Sequence, residues 1–181
     1  MKRIVTAISL LVLVSGVTAR AQTKSAQPSP EYRVLDAWTG SWLLLGEARD
    51  TPSGPVYKSE WSYTGQRILG GFFLEVHHRE KFKGTVEEFL ELMGYDPPKK
   101  ACISHVYGDS GRWEISSLTF INERTCVENG TTYYPDGRTK QWRFTWTFGP
   151  DGKSVSVKEE DDKDGTWWTA YEGKGVKSPG K

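Results

Sequence analysis

The chain has 181 residues, 26% of them charged and 13% aromatic, with a formal net charge of +1. That length makes one domain with a sizeable core, and the near balance of acids and bases excludes the basic excess expected of a nucleic-acid binder. Most of the eight tryptophans and eight tyrosines fall inside strand-length segments after Gly40.

Lys2 and Arg3 form a positive start, and Ile4 to Val17 is apolar apart from small and hydroxylated residues. Ala19-Arg20-Ala21 puts small residues at the two positions a signal peptidase reads, which predicts cleavage before Gln22. The apolar stretch falls short of the ~20 residues a bilayer span needs, so residues 1–21 read as a signal peptide and not as an anchor. The expected location is periplasmic or secreted, with no membrane anchor after cleavage. Cleavage removes Lys2, Arg3 and Arg20 and no acid, moving the formal charge from +1 to −2. Residues 22–30 are polar with two prolines and read as a flexible linker. Residues 31–176 form the folded domain in this reading, and residues 177–181 a disordered tail.

One short helix precedes the strands. Ser29-Pro30 suits an N-cap followed by proline at the first helical position, and Glu31 suits the first turn. Tyr32, Leu35 and Trp38 then fall near one face, and Thr39-Gly40 ends the helix.

The strands follow in chain order: Trp42–Arg49, Val56–Tyr63, Gly71–Glu80, Thr85–Tyr95, Ala101–Tyr107, Trp113–Ile121, Thr125–Tyr134, Thr139–Phe148, Lys153–Glu160 and Thr166–Gly173. Turn signals separate them: Thr51-Pro52-Ser53-Gly54, Thr64-Gly65 to Gly70, Phe82-Lys83-Gly84, Gly108 to Gly111, Pro135-Asp136-Gly137 and Gly149 to Gly152. Asp96-Pro97-Pro98 cannot continue a ladder, because proline lacks the amide hydrogen. The fold class is therefore all-β: an antiparallel up-and-down barrel of about ten strands, with a two-sheet sandwich as the competing arrangement.

Alternation points to a cavity. Trp142, Phe144, Trp146 and Phe148 share one strand face, opposite Gln141, Arg143, Thr145 and Thr147. Leu74, Val76, His78 and Glu80 share another, opposite Phe73, Glu75, His77 and Arg79. Mixed faces of this kind suit a lumen, where water or a ligand satisfies polar groups that a solid core would not tolerate.

These residues carry a resemblance. Gly40-Ser41-Trp42 after a short helix resembles the Gly-x-Trp opening of lipocalins. With Ile68-Leu69-Gly70-Gly71-Phe72-Phe73-Leu74, Met93-Gly94-Tyr95-Asp96 and the later Pro-Asp-Gly turn, residues 34–175 resemble a bacterial family known as domain of unknown function 1579. The resemblance implies a lipocalin-like barrel, often exported, and brings no activity with it. Nitrobindins are related ten-stranded barrels that hold haem through a histidine. This chain offers His77, His78 and His105, but Leu44 and Gly46 follow Trp42, so the nitrobindin pattern Gly-x-Trp-x-Gly-x-Gly is incomplete. No histidine follows His105.

No nucleophile elbow, phosphate loop or zinc-type spacing is present. Glu75, His77 and Arg79, with Glu87 and Glu91 on the next strand, could do acid–base work if they converged, but equally form a solvated face of cross-strand ion pairs. A Cys102–Cys126 bridge suits an exported chain, yet a meander puts a strand between them. Next-nearest strands lie about 9.6 Å apart, beyond the ~7 Å a bridge tolerates.

The reading is an exported barrel that binds a small, largely apolar molecule without transforming it. Trp61, Tyr63, Trp142 and Trp146 are the expected aromatic contacts, with Arg143 and His77 orienting the ligand. No cofactor is expected. The alternatives are a haem-binding or other barrel enzyme, and a structural or interaction barrel with a filled interior.

Overall fold

A computed structural model describes residues 27–178. The signal-peptide segment, most of the linker and the last three residues lie outside the described residues.

Ten strands follow a 3₁₀ helix over Pro30–Trp38: β1 (Gly40–Ala48), β2 (Tyr57–Ile68), β3 (Phe73–Phe82), β4 (Thr85–Asp96), β5 (Ala101–Gly108), β6 (Trp113–Phe120), β7 (Thr125–Tyr133), β8 (Thr139–Phe148), β9 (Ser154–Lys163) and β10 (Thr166–Lys177). Each pairs antiparallel with its sequence neighbours. β1 also pairs with β10, from Trp42–Lys177 to Ala48–Tyr171, so the sheet closes into a barrel with no free edge. The two-sheet alternative is thereby excluded.

Three boundaries differ from the sequence reading by three residues or more. β2 continues through Thr64 to Ile68, because its ladder with β3 persists to the pair Ile68–Phe73. The turn is confined to Leu69–Phe72, where Gly70 and Gly71 adopt φ of 72° and 91°, a region that favours glycine. β9 runs on to Lys163, leaving Asp164-Gly165 as the hairpin tip. β10 reaches Lys177, and the Ser178 amide donates to the Ser41 carbonyl at 2.7 Å, so both residues belong to the barrel seam and not to a tail.

The N-terminal helix plugs one end. Tyr32, Leu35 and Trp38 are spaced by three, which matches the three residues per turn of a 3₁₀ helix and puts them on one face. Leu35 and Trp38 are buried, and Tyr32 packs against Phe72 and Tyr95. The Trp38 ring meets Phe148, Trp146 and Phe120 at centroid distances of 5.1, 5.9 and 6.0 Å. Arg67 of β2 clamps the helix from outside this cluster. Its guanidinium donates to Asp36 Oδ1 at 2.7 and 3.0 Å, to the Tyr32 carbonyl at 2.5 Å and to the Gly71 carbonyl at 3.1 Å.

Cys102 and Cys126 are buried and free, on β5 and β7 with β6 between them. Burial pushes both thiols up, Cys102 to about 12, which leaves them protonated and unreactive.

Candidate functional site

Inward-facing residues change character along the barrel axis, as β3, β9 and β4 show. β3 presents Leu74, Val76, His78 and Glu80 in that order from the helix end to the open end. β9 presents Val155 and Val157, then Glu159 and Asp161. The antiparallel β4 reads the reverse: Glu87, Phe89, Glu91, Met93. The helix end is thus a dry apolar floor, and the other end a lumen of about 720 Å³ with polar walls.

Aromatic rings make the deeper wall of the lumen. Trp61, Phe144 and Trp146 line it, with Trp61 5.9 Å from Phe144 and 5.5 Å from Trp146 between centroids. Trp142 lies over Gly130, its direct cross-strand partner, where a Cβ would collide with the indole. Its Nε1 donates to Thr132 Oγ1 at 2.9 Å, and the Thr132 hydroxyl donates to Glu114 at 3.0 Å.

A buried polar belt crosses the middle of the barrel. Trp61 Nε1 donates to His78 Nδ1 at 3.1 Å, and His78 Nε2 lies 2.8 Å from Glu91 Oε2. Because an indole N–H only donates, Nδ1 is the accepting nitrogen and Nε2 carries the proton toward Glu91. The Ser104 hydroxyl donates to the other Glu91 oxygen at 2.5 Å. On the facing wall Glu128 accepts from Ser116 at 2.6 Å and from Trp146 Nε1 at 3.0 Å. Burial pushes the Glu128 carboxyl up to about 8, reinforced by the Glu91 charge and only partly opposed by its two donors.

Above this belt the wall is acidic. Lys140 reaches Glu159 at 3.4 Å and Asp161 at 3.0 Å. Burial works against the Lys140 ammonium, but Glu159 and Asp161 outweigh it and hold its pKa above the ordinary lysine range. Arg112 Nε stands 3.4 Å from Glu87 and 3.8 Å from Glu114, while its guanidinium lies over the Phe89 ring at 4.4 Å. Glu80 lines the same wall without a hydrogen bond or ion pair among the described residues. Burial raises the carboxyls of Glu80 and Glu114, and lifts Glu159 to about 7 even with Lys140 beside it. A bulge in β10 between Thr169 and Tyr171 brings the consecutive residues Ala170 and Tyr171 both to the lumen.

The residues expected to contact a ligand divide by parity. Trp61, Trp142 and Trp146 line the lumen. Tyr63 also faces inward but is sealed in the floor, stacked at 6.0 Å on Trp42. His77 and Arg143 point out of the barrel. His77 pairs with Glu75 at 3.0 Å, and Arg143 pairs with Glu160 at 2.8 Å beneath the Trp167 ring. Neither could orient a ligand in the lumen. The reason is the two-residue strand period: with Leu74 and Val76 inside, His78 enters and His77 cannot. With Trp142 and Trp146 inside, Arg143 is excluded. Lumen residues not assigned as ligand contacts include Glu80, Glu114, Glu128, Glu159 and Tyr171, together with His78 and Glu91, which were weighed only for haem and acid–base chemistry; for His78 and Glu80 parity was the available signal.

The other chemical possibilities follow from the same division. Glu75, His77 and Arg79 lie on the outer face, whereas Glu87 and Glu91 line the lumen, so that acid–base set is split by the barrel wall. A haem iron needs an imidazole nitrogen with a free lone pair. His77 and His105 face outward, and both nitrogens of His78 are engaged by Trp61 and Glu91, so the residues present do not fit the haem alternative. Among the described residues no three histidine, cysteine, aspartate or glutamate side chains converge to hold a metal ion.

Among solved structures, that of Rv2717c from M. tuberculosis is similar in fold, with a TM-score of 0.66 at 13% sequence identity. The match covers 83% of this chain and 99% of that one. None of the curated proteins matches the chain significantly in sequence. The ladder of ten strands and the helix before it coincide with a family model that matches residues 27–176, and on that match the chain belongs to the family described as "Protein of unknown function (DUF1579)".

Proposed function

We propose that this protein binds a small molecule inside the barrel and does not transform it, acting as a carrier or store in an exported compartment. One observation carries the reading: about 720 Å³ of lumen remains after the side chains have packed, within the ~300–1,000 Å³ range of small-molecule sites. A barrel serving only as a structural element gains nothing from an unfilled interior, and forgoes the packing contacts that would fill it. The indoles and phenyl ring of Trp61, Phe144 and Trp146 supply a rigid apolar surface for the ligand body. The bilayer-short apolar segment of residues 4–17 and the Ala19-Arg20-Ala21 site support export.

Titration with N-phenyl-1-naphthylamine, a neutral fluorophore excited by energy transfer from tryptophan, tests the binding reading. Saturable one-to-one binding is expected. Ala170→Trp, which fills the lumen from a wall position, should weaken it by at least ~10-fold, the factor that about 1.4 kcal/mol of lost contact produces. Absence of saturable binding, or binding indifferent to Ala170→Trp in a protein with unchanged circular dichroism, would refute it.

A further inference from the structure

We propose that His78 is a proton-operated latch on Trp61: the neutral imidazole holds that indole in the lumen wall, and the imidazolium lets it go. The inference rests on the binding reading above and names how that site is regulated, with ligand held near neutrality and released in acid.

Two hydrogen bonds make the latch. Trp61 Nε1 donates to His78 Nδ1 at 3.1 Å, and His78 Nε2 stands 2.8 Å from Glu91 Oε2. An indole N–H only donates, so Nδ1 can accept it only while the imidazole is neutral. A second proton has Nδ1 as its one place to land. There it turns the acceptor into a donor and sets two N–H groups against each other across the same 3.1 Å. The Trp61–His78 bond and the imidazolium therefore exclude each other.

Packing decides which partner yields. Glu91 is fixed from behind, because the Ser104 hydroxyl donates to its other oxygen at 2.5 Å. Charge on the imidazole strengthens its bond to Glu91, since hydrogen bonds with ionised partners are roughly twice as strong as neutral ones. His78 is 8% exposed, with Tyr63 directly opposite on β2 and Phe89 directly opposite on β4. Trp61 is half-buried and borders the lumen of about 720 Å³, so the indole is the partner with room to swing.

Trp61 is also central to the aromatic wall. Its ring lies 5.5 Å from Trp146, 5.9 Å from Phe144 and 6.3 Å from Tyr171 between centroids. Release of the indole breaks up the surface on which a ligand body rests, so affinity falls as the imidazole gains its proton. Linkage requires the converse: a ligand packed on Trp61 favours the neutral imidazole and displaces a proton when it binds.

The groups around the ring are few. β4 brings Glu91, and Ser104 on β5 and Glu128 on β7 both act on that carboxyl. β2 brings Trp61 and Tyr63, and burial together with the Glu91 charge holds the Tyr63 phenol well above the ordinary tyrosine range. On its own strand Glu80 is the next inward residue toward the mouth. Arg112 lies over the Phe89 ring at 4.4 Å and is the cation on that side. An imidazole is the side chain that ordinarily changes charge between about pH 5 and 8. Glu128 and Glu159 titrate in the same lumen, at about 8 and about 7, so the latch is isolated by substituting His78 alone.

Two measurements on the full mature chain test the latch. The first needs no ligand: the Trp61 indole N–H resonance, identified by its absence from Trp61→Phe, is followed from about pH 7.5 to about pH 5. It should move in the wild-type protein and stay fixed in His78→Gln, whose amide accepts and donates but cannot titrate. A wild-type resonance that stays put over that range overturns the latch, whether or not either variant folds. The second is titration with N-phenyl-1-naphthylamine excited directly. Its affinity should fall at least ~3-fold over the same range, a factor within the worth of one hydrogen bond, and His78→Gln should lose most of that fall. An equal fall in folded His78→Gln would overturn the regulatory role and leave the binding reading standing. If the dye binds at neither pH, the binding reading itself fails, and the indole resonance alone decides the latch.

Discussion

Glu128 shows what the lumen demands of a single side chain. Its carboxyl titrates near pH 8 in the folded barrel, against about 4.3 in an unfolded chain. Between those values the folded state holds a proton that the unfolded state has lost, so this residue lowers stability progressively as pH rises from about 4.3 to about 8. Glu128→Gln keeps the shape and cannot ionise. It should raise the melting temperature at pH 8 by at least ~2–4 °C, the shift about 1 kcal/mol produces in a domain of this size, with little change at about pH 4, below the unfolded value. A lower melting temperature at pH 8 would contradict the assignment. Parity decided how much was legible at this scale. Trp61, Trp142 and Trp146 can be placed from alternation alone, but assigning Arg143 and Trp142 to one cavity violated the same alternation. His77 and His78 are a sharper case, because only the neighbouring Leu74 and Val76 say which of two adjacent histidines enters.

The elements divide the barrel between a floor and a mouth. Turn chemistry made all ten strands readable, since Pro-Asp-Gly and Gly-Pro-Asp-Gly allow little else, and the helix was readable from its proline and its three-residue spacing. The end of β2 was not, because Thr64-Gly65 resembles a turn and only the ladder to β3 shows that the strand continues. The axial gradient was hidden for a related reason. Each strand holds three to five inward residues, and a run such as Val155, Val157, Glu159, Asp161 looks like a failing amphipathic pattern until its neighbours are set in antiparallel register. The N-terminal helix is what makes the floor, and Trp38 is its anchor at 2% exposure. Trp38→Ala should cost about 3–5 kcal/mol in urea unfolding, the range for emptying a large aromatic site. A loss below about 1 kcal/mol would mean that the helix is not part of the folded core.

At the scale of the molecule, closure of the sheet separates two chemistries by one backbone thickness. The outer face carries ordinary solvated pairs such as Glu75–His77 and Arg143–Glu160, which contribute little each. The inner face carries carboxyls that water alone solvates poorly, above aromatic rings left with open space. Family membership explains the barrel, and the lumen is where this chain's own residues argue for a ligand. Native mass spectrometry of the protein purified from its own host tests that claim most directly. The account predicts a chain beginning at Gln22 that carries one non-covalent small molecule, and an Ala170→Trp variant that carries none. Wild-type protein that is bare as isolated, and still bare after incubation with a small-molecule extract of the host, would contradict it.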